Sequence, residues 1–438
     1  MNKLKIMRIT HIFGNQIFLK DNSFKDILNG RDCYDYKMLM LHKNSIDVSL
    51  SLANEIAKLG HNVETVYFDL KEMQILWAKE NECKVEGEQW TEYVLHEQIN
   101  KIKPEVIFFQ KSIPFTKTNL RRLKKKYPFV KKLIFHTAYL GATWGCQEMD
   151  HLLVGTPSLV HRYSKMGLKP ELFYHYFDPN IGLNIMENLK NLSEEEYDLT
   201  FAGSSGFGGG FLHVDRYEFL KCLLDKTNIL MWLLEEKDVL SPSLTFKQKL
   251  RRLTKKMLKR LPFRLINTKV LGECWTNFIL EINQELDFFK KGVKIPTIPL
   301  KELYPSRCYA SVHGLDYYRI LSKSKISFTK AGNNVHNPKE SLVGDIGALR
   351  LFEATGLGSC LVSDTGPNMQ ELFEEGKEIV TYTSKEEAVE KIKYLLSNEG
   401  ERKKIAVAGQ ARTLKDHTAA ERAKQFDCLL HDIFRRGS

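Results

Sequence analysis

The chain has no run of 18 or more apolar residues, so no membrane-spanning helix is expected. Its first residues, Met-Asn-Lys-Leu-Lys-Ile-Met-Arg-Ile-Thr-His-Ile-Phe, lack an apolar core followed by a small-residue cleavage site. They read as a first strand rather than as a secretory signal. The eight cysteines (Cys33, Cys83, Cys146, Cys222, Cys274, Cys308, Cys360, Cys428) contain no C-x-x-C pair. Their scatter argues against zinc and against a disulfide framework, and a reduced, cytoplasmic setting is expected. Internal repeats and low-complexity tracts are also missing. Acids are absent from two stretches, 121–132 with seven cations and 246–261 with eight, which leaves the rest of a +11 chain at −4. The basic character is therefore local, as on a surface that faces something anionic.

What is present points to a large α/β protein. With 438 residues, 43% hydrophobic and 11% aromatic, the chain can build about two cored domains. Short apolar runs at 6–12, 63–68, 106–109, 133–135 and 152–154 alternate with helical patterns. In 47–61, Leu52, Ile56 and Leu59 form a stripe that Gly60 closes. Further strands are expected at 198–203, 228–234, 325–328, 359–362 and 379–382, with an interdomain connection near 170–191. Strand–helix–strand repetition implies parallel, doubly wound sheets.

The most informative stretch is Asp345-Ile-Gly-Ala-Leu-Arg-Leu-Phe-Glu353-Ala-Thr-Gly-Leu-Gly358-Ser-Cys-Leu-Val-Ser-Asp364. Asp345 would precede a helix and Glu353 would lie inside it, roughly 12 Å apart along the axis at 1.5 Å per residue. The backbone N–H groups of Gly347, Ala348 and Leu349 at the helix start lie between them, where a phosphate is favoured. Two solvated charges would give the same spacing. The buried face of Leu349, Leu351 and Phe352, the glycine turn, and the strand ending in Asp364 raise the ligand-site reading above it. Upstream, Gly203-Ser204-Ser-Gly-Phe-Gly-Gly-Gly210 follows a strand and precedes the helix around Arg216. Such glycines let backbone approach a diphosphate, although the segment is neither G-x-G-x-x-G nor a Walker A sequence. His136-Thr137 and Gly14-Asn15 follow strands of the first half, at positions suited to acceptor contacts. The cationic 246–261 segment carries Phe246, Leu250, Leu253, Met257 and Leu261 at helical spacing. It reads as an amphipathic helix on an anionic membrane surface, or as a solvated helix with one packed stripe.

The 345–364 stretch resembles the donor-binding motif of GT-B fold glycosyltransferases, with Asp345 where the motif usually has Glu and Cys360 where it usually has Pro. Residues 345–422 are similar to the C-terminal module of the CgeB-like glycosyltransferases. The similarity is carried by Arg350-Leu-Phe-Glu-Ala-Thr-Gly356, Glu371-Leu-Phe373, Glu378-Ile-Val-Thr-Tyr382, Ala408-Gly-Gln-Ala-Arg-Thr413 and His417-Thr418. His175-Tyr-Phe-Asp-Pro179 resembles the His-x-Phe-Asp-Pro signature of the same group.

The resemblance implies two Rossmann-like domains facing a cleft. The expected bounds are 1–175 on the acceptor side, 176–415 on the nucleotide-sugar side, and a 416–438 helix crossing back. It implies Glu353 on ribose hydroxyls, Asp345 on the transferred sugar, and Arg216 or Arg350 offsetting the diphosphate charge without a metal or other cofactor. His175 would meet sugar or phosphate, or take a proton. The expected activity is transfer from a nucleotide-sugar, UDP-sugar favoured, to a glycan, lipid-linked or protein acceptor. Alternatives are a sugar-nucleotide epimerase or phosphorylase on the same scaffold, a nucleic-acid-modifying glycosyltransferase, and a non-catalytic binding protein.

Overall fold

The computed structural model describes residues 3–12, 22–30, 33–44, 47, 49–83, 90–138, 143–188, 197–207, 214–235, 296–331, 345–347 and 349–435. Among these residues, twelve strands form two six-stranded sheets. The first holds β1 (Lys5–Thr10), β2 (Asn62–Tyr67), β3 (Val106–Gln110), β4 (Lys132–Thr137), β5 (His151–Val154) and β6 (Pro170–Leu172), in the order β2-β1-β3-β4-β5-β6. The second holds β7 (Tyr197–Ser204), β8 (Leu230–Leu234), β9 (Cys308–Ala310), β10 (Ser324–Thr329), β11 (Cys360–Asp364) and β12 (Val380–Tyr382), in the order β12-β11-β10-β7-β8-β9.

Every strand pairing in both sheets is parallel. The sequence dictates this arrangement. Val-Ile-Phe-Phe-Gln in β3 is buried at all five positions, and such runs fit only a sheet covered on both faces. Met7, Ile9, Ile107 and Phe109 line one face, whereas Ile6, Val106, Phe108 and Ile134 line the other. Strand order reverses between β1 and β3 and again between β7 and β10. In open α/β sheets, the carboxyl ends at such reversals are where ligands bind.

Two details differ from the sequence expectation. The stretch 170–191 is not a plain linker: it supplies edge strand β6 and the helix Asn180–Asn188. A β9 strand of three residues also went unread, being too short to show a period. The chain then crosses twice between the sheets. Phe177 N–H donates to the His417 carbonyl at 2.8 Å, and Ala419 N–H donates to the Phe177 carbonyl at 2.9 Å. The Phe177 ring lies on Gly356, where a Cβ would meet its atoms at 2.6–2.7 Å, so only glycine fits. The helix Ala419–Arg435 buries Ala423, Phe426, Leu430 and Ile433 against β1, β3 and the helix Leu50–Lys58.

Candidate functional site

The carboxyl end of β7 is covered by two guanidinium groups. Arg350 projects from the helix Leu349–Gly356, and its Nη1 donates to the Ala202 carbonyl. Its guanidinium lies flat over Gly203, whose φ is +155°. A Cβ built there would sit 2.4–2.8 Å from Nη1, Nη2 and Cζ. Glycine at 203 therefore makes room for a cation on the strand end, a reason the glycine-loop pattern alone does not reveal. Arg216, from the helix Val214–Lys226, reaches the same place, with Nη1 3.4 Å from the Ser204 carbonyl. Its Nε is buried and has no hydrogen-bond partner among the described residues. Burial and then the Arg350 charge push the Arg216 guanidinium down to about 10, against the pull of Asp364. Two guanidinium groups therefore face one strand end.

Asp364, at the end of β11, balances a third cation. It accepts from Lys330 Nζ at 3.0 Å and from the Ala331 N–H at 3.0 Å. Three cations against one carboxylate leave this edge positive, as an anion site requires.

Glu353 lies deeper in the same helix and is only 6% exposed. Tyr317 and Tyr318, on the helix Gly314–Ser322, donate to its two carboxyl oxygens at 2.8 and 3.0 Å. Burial raises its pKa, while Arg350 and the two phenols oppose that shift. No pattern in the sequence marked these tyrosines, because adjacent residues on a helix do not present one face. Asp345, seen from the sequence as the other half of the pair, points elsewhere. Its Oδ2 accepts from the backbone N–H of Ser158, in the first half of the chain. Gly347 is exposed, Leu349 opens the helix, and Ala348 lies outside the described residues.

His136 and His175 come together below the first sheet's carboxyl edge. Their rings meet edge to face at 5.7 Å, and His136 Nε2 lies 3.1 Å from the Phe173 carbonyl. Burial lowers both, His136 to about 3 and His175 to about 4, so each is neutral at pH 7. Thr137 is buried beside them, its carbonyl taking the Gly155 N–H at 3.0 Å. Gly14, Asn15 and the cationic stretch 246–261 lie outside the described residues.

A charged cluster at the β1–β3 reversal was not anticipated. Buried Arg8 donates through Nε to Gln110 at 2.6 Å and through Nη2 to Asp47 at 3.1 Å. Lys111 Nζ and Tyr67 Oη reach the same carboxylate at 3.1 and 2.8 Å. Burial alone would raise Asp47, yet Lys111 and Arg8 hold it well below the usual carboxylate range. The contacts to Asp47 span 20 to 64 positions in sequence, and nothing local links them.

The cationic run 121–132 is partly neutralised, by Arg121–Glu148 at 2.7 Å, Lys124–Asp150 at 2.5 Å and Lys131–Glu105 at 2.6 Å. No helix among the described residues is long and apolar enough to cross a membrane.

Comparison with known proteins agrees with this architecture. Residues 248–427 match a family model described as glycosyl transferase-like. The chain is similar to the Anabaena protein Alr3699/HepE, solved with UDP and glucose, at 11% identity and a TM-score of 0.52. The alignment covers 98% of this chain and 99% of that one. It is also similar to sucrose-phosphate synthase from Thermosynechococcus elongatus, at 10% identity and a TM-score of 0.50, over 99% and 100% of the two chains. Comparison with curated proteins gives no match. The fold is that of the GT-B glycosyltransferases.

Proposed function

We propose that the protein is a glycosyltransferase of the CgeB-like kind. It moves a sugar from a nucleotide-sugar, UDP-sugar favoured, onto a glycan, lipid-linked or protein acceptor. The observation that carries this reading is the convergence of Arg216 and Arg350 over Gly203 and Ser204, one helical turn from buried Glu353. Two charged donors at a strand end offset a leaving diphosphate where charge develops, which is the role a metal plays in other transferases. Glu353, held by two phenols, retains lone pairs for ribose hydroxyls. The neutral imidazole of His175, at the facing edge, is suited to accept a proton or a hydrogen bond from sugar or acceptor. His136 and Thr137 stand on that acceptor side. The complexes of the Anabaena protein with UDP and glucose and with UDP-glucose favour a uridine nucleotide.

The test is a thermal-shift panel of UDP, GDP, dTDP, CDP and CMP with their sugars, followed by product analysis with and without acceptor. Stabilisation by one nucleotide-sugar and acceptor-dependent release of the nucleotide are expected. Binding of none of them would point to a non-catalytic protein, and product without acceptor to an epimerase. EDTA should leave turnover unchanged. A peripheral position on an anionic membrane through 246–261 belongs to this reading. It predicts sedimentation with anionic vesicles that is lost when the cations of that stretch are removed.

A further inference from the structure

The helix Pro157–Lys165, which follows β5, begins without a cap of its own. Thr156 stands at the N-cap with extended backbone (φ −150°, ψ 152°), but its side chain makes no capping hydrogen bond. Pro157 has no N–H to satisfy. The N–H groups of Leu159 and Val160 go to the Thr156 carbonyl, at 3.1 and 3.3 Å. That leaves the N–H of Ser158 as the one first-turn donor without a local partner. The Asp345 carboxylate takes it from 187 positions away, on the other side of the cleft. A carboxylate at the positive end of a helix is also favoured by the helix dipole.

The segment bearing Asp345 is itself fixed to the second sheet. Asn368, which is buried, accepts from the Ile346 N–H at 2.8 Å and donates to the Ile346 carbonyl at 3.1 Å. Close by, Tyr174 from the first half donates to Glu371 at 2.7 Å. Three residues beyond Ile346 the helix that carries Arg350 and Glu353 begins.

We propose that Asp345 is a positioning residue. It caps the Pro157–Lys165 helix from across the cleft and thereby couples cleft closure to the placement of the helix bearing Arg350 and Glu353. The proposal rests on the donor-site reading above, but its geometry can be measured without it. On this view Asp345 holds no proton for the reaction. It needs only an oxygen that accepts the Ser158 N–H, and an asparagine supplies one. Closing the cleft satisfies Ser158 and Asp345 together, and opening returns both to water.

Three variants test the idea: Asp345→Ala, Asp345→Asn and Thr156→Asp. The last gives the helix a local cap and sets a like charge against an intact Asp345. Donor KM and kcat are read separately, and spin labels on exposed Lys125 and Lys385 report the distance across the cleft. Asp345→Ala should raise donor KM about tenfold, the scale of a lost helix cap, and broaden the distance distribution. Asp345→Asn should stay within about threefold of the native protein in both readouts. Thr156→Asp should reproduce the alanine effect, and it stands as the test if Asp345→Ala does not fold.

Loss of kcat in Asp345→Asn as deep as in Asp345→Ala, with the distance unmoved in both, would overturn the latch in favour of direct chemistry. An unmoved distance in Thr156→Asp and Asp345→Ala would overturn it as well. A native protein that binds no nucleotide-sugar defeats the donor reading, whereas the distance measurement still decides the latch.

Discussion

Gly203→Ala separates the role of the Arg350 guanidinium from that of the fold. The added methyl would lie 2.4 Å from Nη1, 2.7 Å from Nη2 and 2.8 Å from Cζ of Arg350. No side-chain carbon approaches that closely, so the guanidinium has to leave the strand end. The long arginine stem can swing, so folding survives. Backbone strain at φ +155° and the lost bond to the Ala202 carbonyl together cost about 1–3 kcal/mol. The larger effect should fall on ligand binding. One displaced cation removes charge-assisted hydrogen bonds to a diphosphate of about 1.5–3 kcal/mol. At 1.4 kcal/mol per decade, that corresponds to roughly a tenfold to a hundredfold rise in Kd. Titration calorimetry with UDP, on protein shown by circular dichroism to be folded, gives the number directly. A folded Gly203→Ala protein that binds UDP as tightly as the native one would refute the placement of the diphosphate under Arg350.

Further outcomes follow from the same geometry. Glu353→Ala should raise the Kd for UDP by about tenfold or more, through loss of charged hydrogen bonds to the ribose of about 1–3 kcal/mol. The double change Tyr317→Phe, Tyr318→Phe strands a buried carboxyl. It should lower unfolding stability in urea by about 2–4 kcal/mol at neutral pH. That loss should shrink as the pH falls, because protonation is favoured in a carboxyl whose pKa burial has raised. His136 and His417 titrate at about 3 and about 4 when folded, against an ordinary 6.5, so the unfolded chain binds more protons below 6.5. Their stabilising effect is present above pH 6.5 and is lost as pH falls toward 4. At pH 5 each should cost about 1–2 kcal/mol in a pH series of urea melts, a loss that His136→Gln abolishes in part. Gly356→Leu should push Phe177 off its seat, loosening the crossover and lowering the thermal midpoint by several degrees, about 2–4 °C per kcal/mol for a unit of about 150–250 residues that unfolds on its own.

Ten of the twelve described strands were legible because a doubly covered parallel strand is a short apolar run bounded by turns, as in β3 and β11; the three-residue edge strands β6 and β9 are too short to show one. The helix bearing Glu353 was legible for a similar reason: a buried face, a glycine exit and a following strand all agree. What the helix presents was not. Asp345 and Glu353 look equivalent at eight-residue spacing, yet one is buried under two phenols and the other crosses the cleft to Ser158.

The motif residues His417 and Thr418 illustrate the same limit. His417 stacks on Phe352 at 4.3 Å, lies 2.8 Å from the Leu372 carbonyl through Nε2, and faces Arg422 through Nδ1 at 3.3 Å. With Thr418 beside the Phe177 crossover, these residues join the two halves rather than touch a ligand. A motif reports that positions matter together, not whether the reason is chemistry or packing. The Arg8–Asp47–Lys111 cluster was illegible on other grounds. Its members come from the middle of β1, the stretch before the helix Leu50–Lys58 and the residue after β3, and only the tertiary fold brings them within 3.1 Å.

Locating a bound nucleotide tests the central claim most directly. In crystals grown with UDP, phosphate oxygens should lie within about 3 Å of both Arg216 and Arg350, with ribose hydroxyls at Glu353. Arg216 Nε, without a partner among the described residues, should gain one. UDP seated away from the β7 carboxyl end, or making neither guanidinium contact, would contradict the assignment of this edge as the donor site.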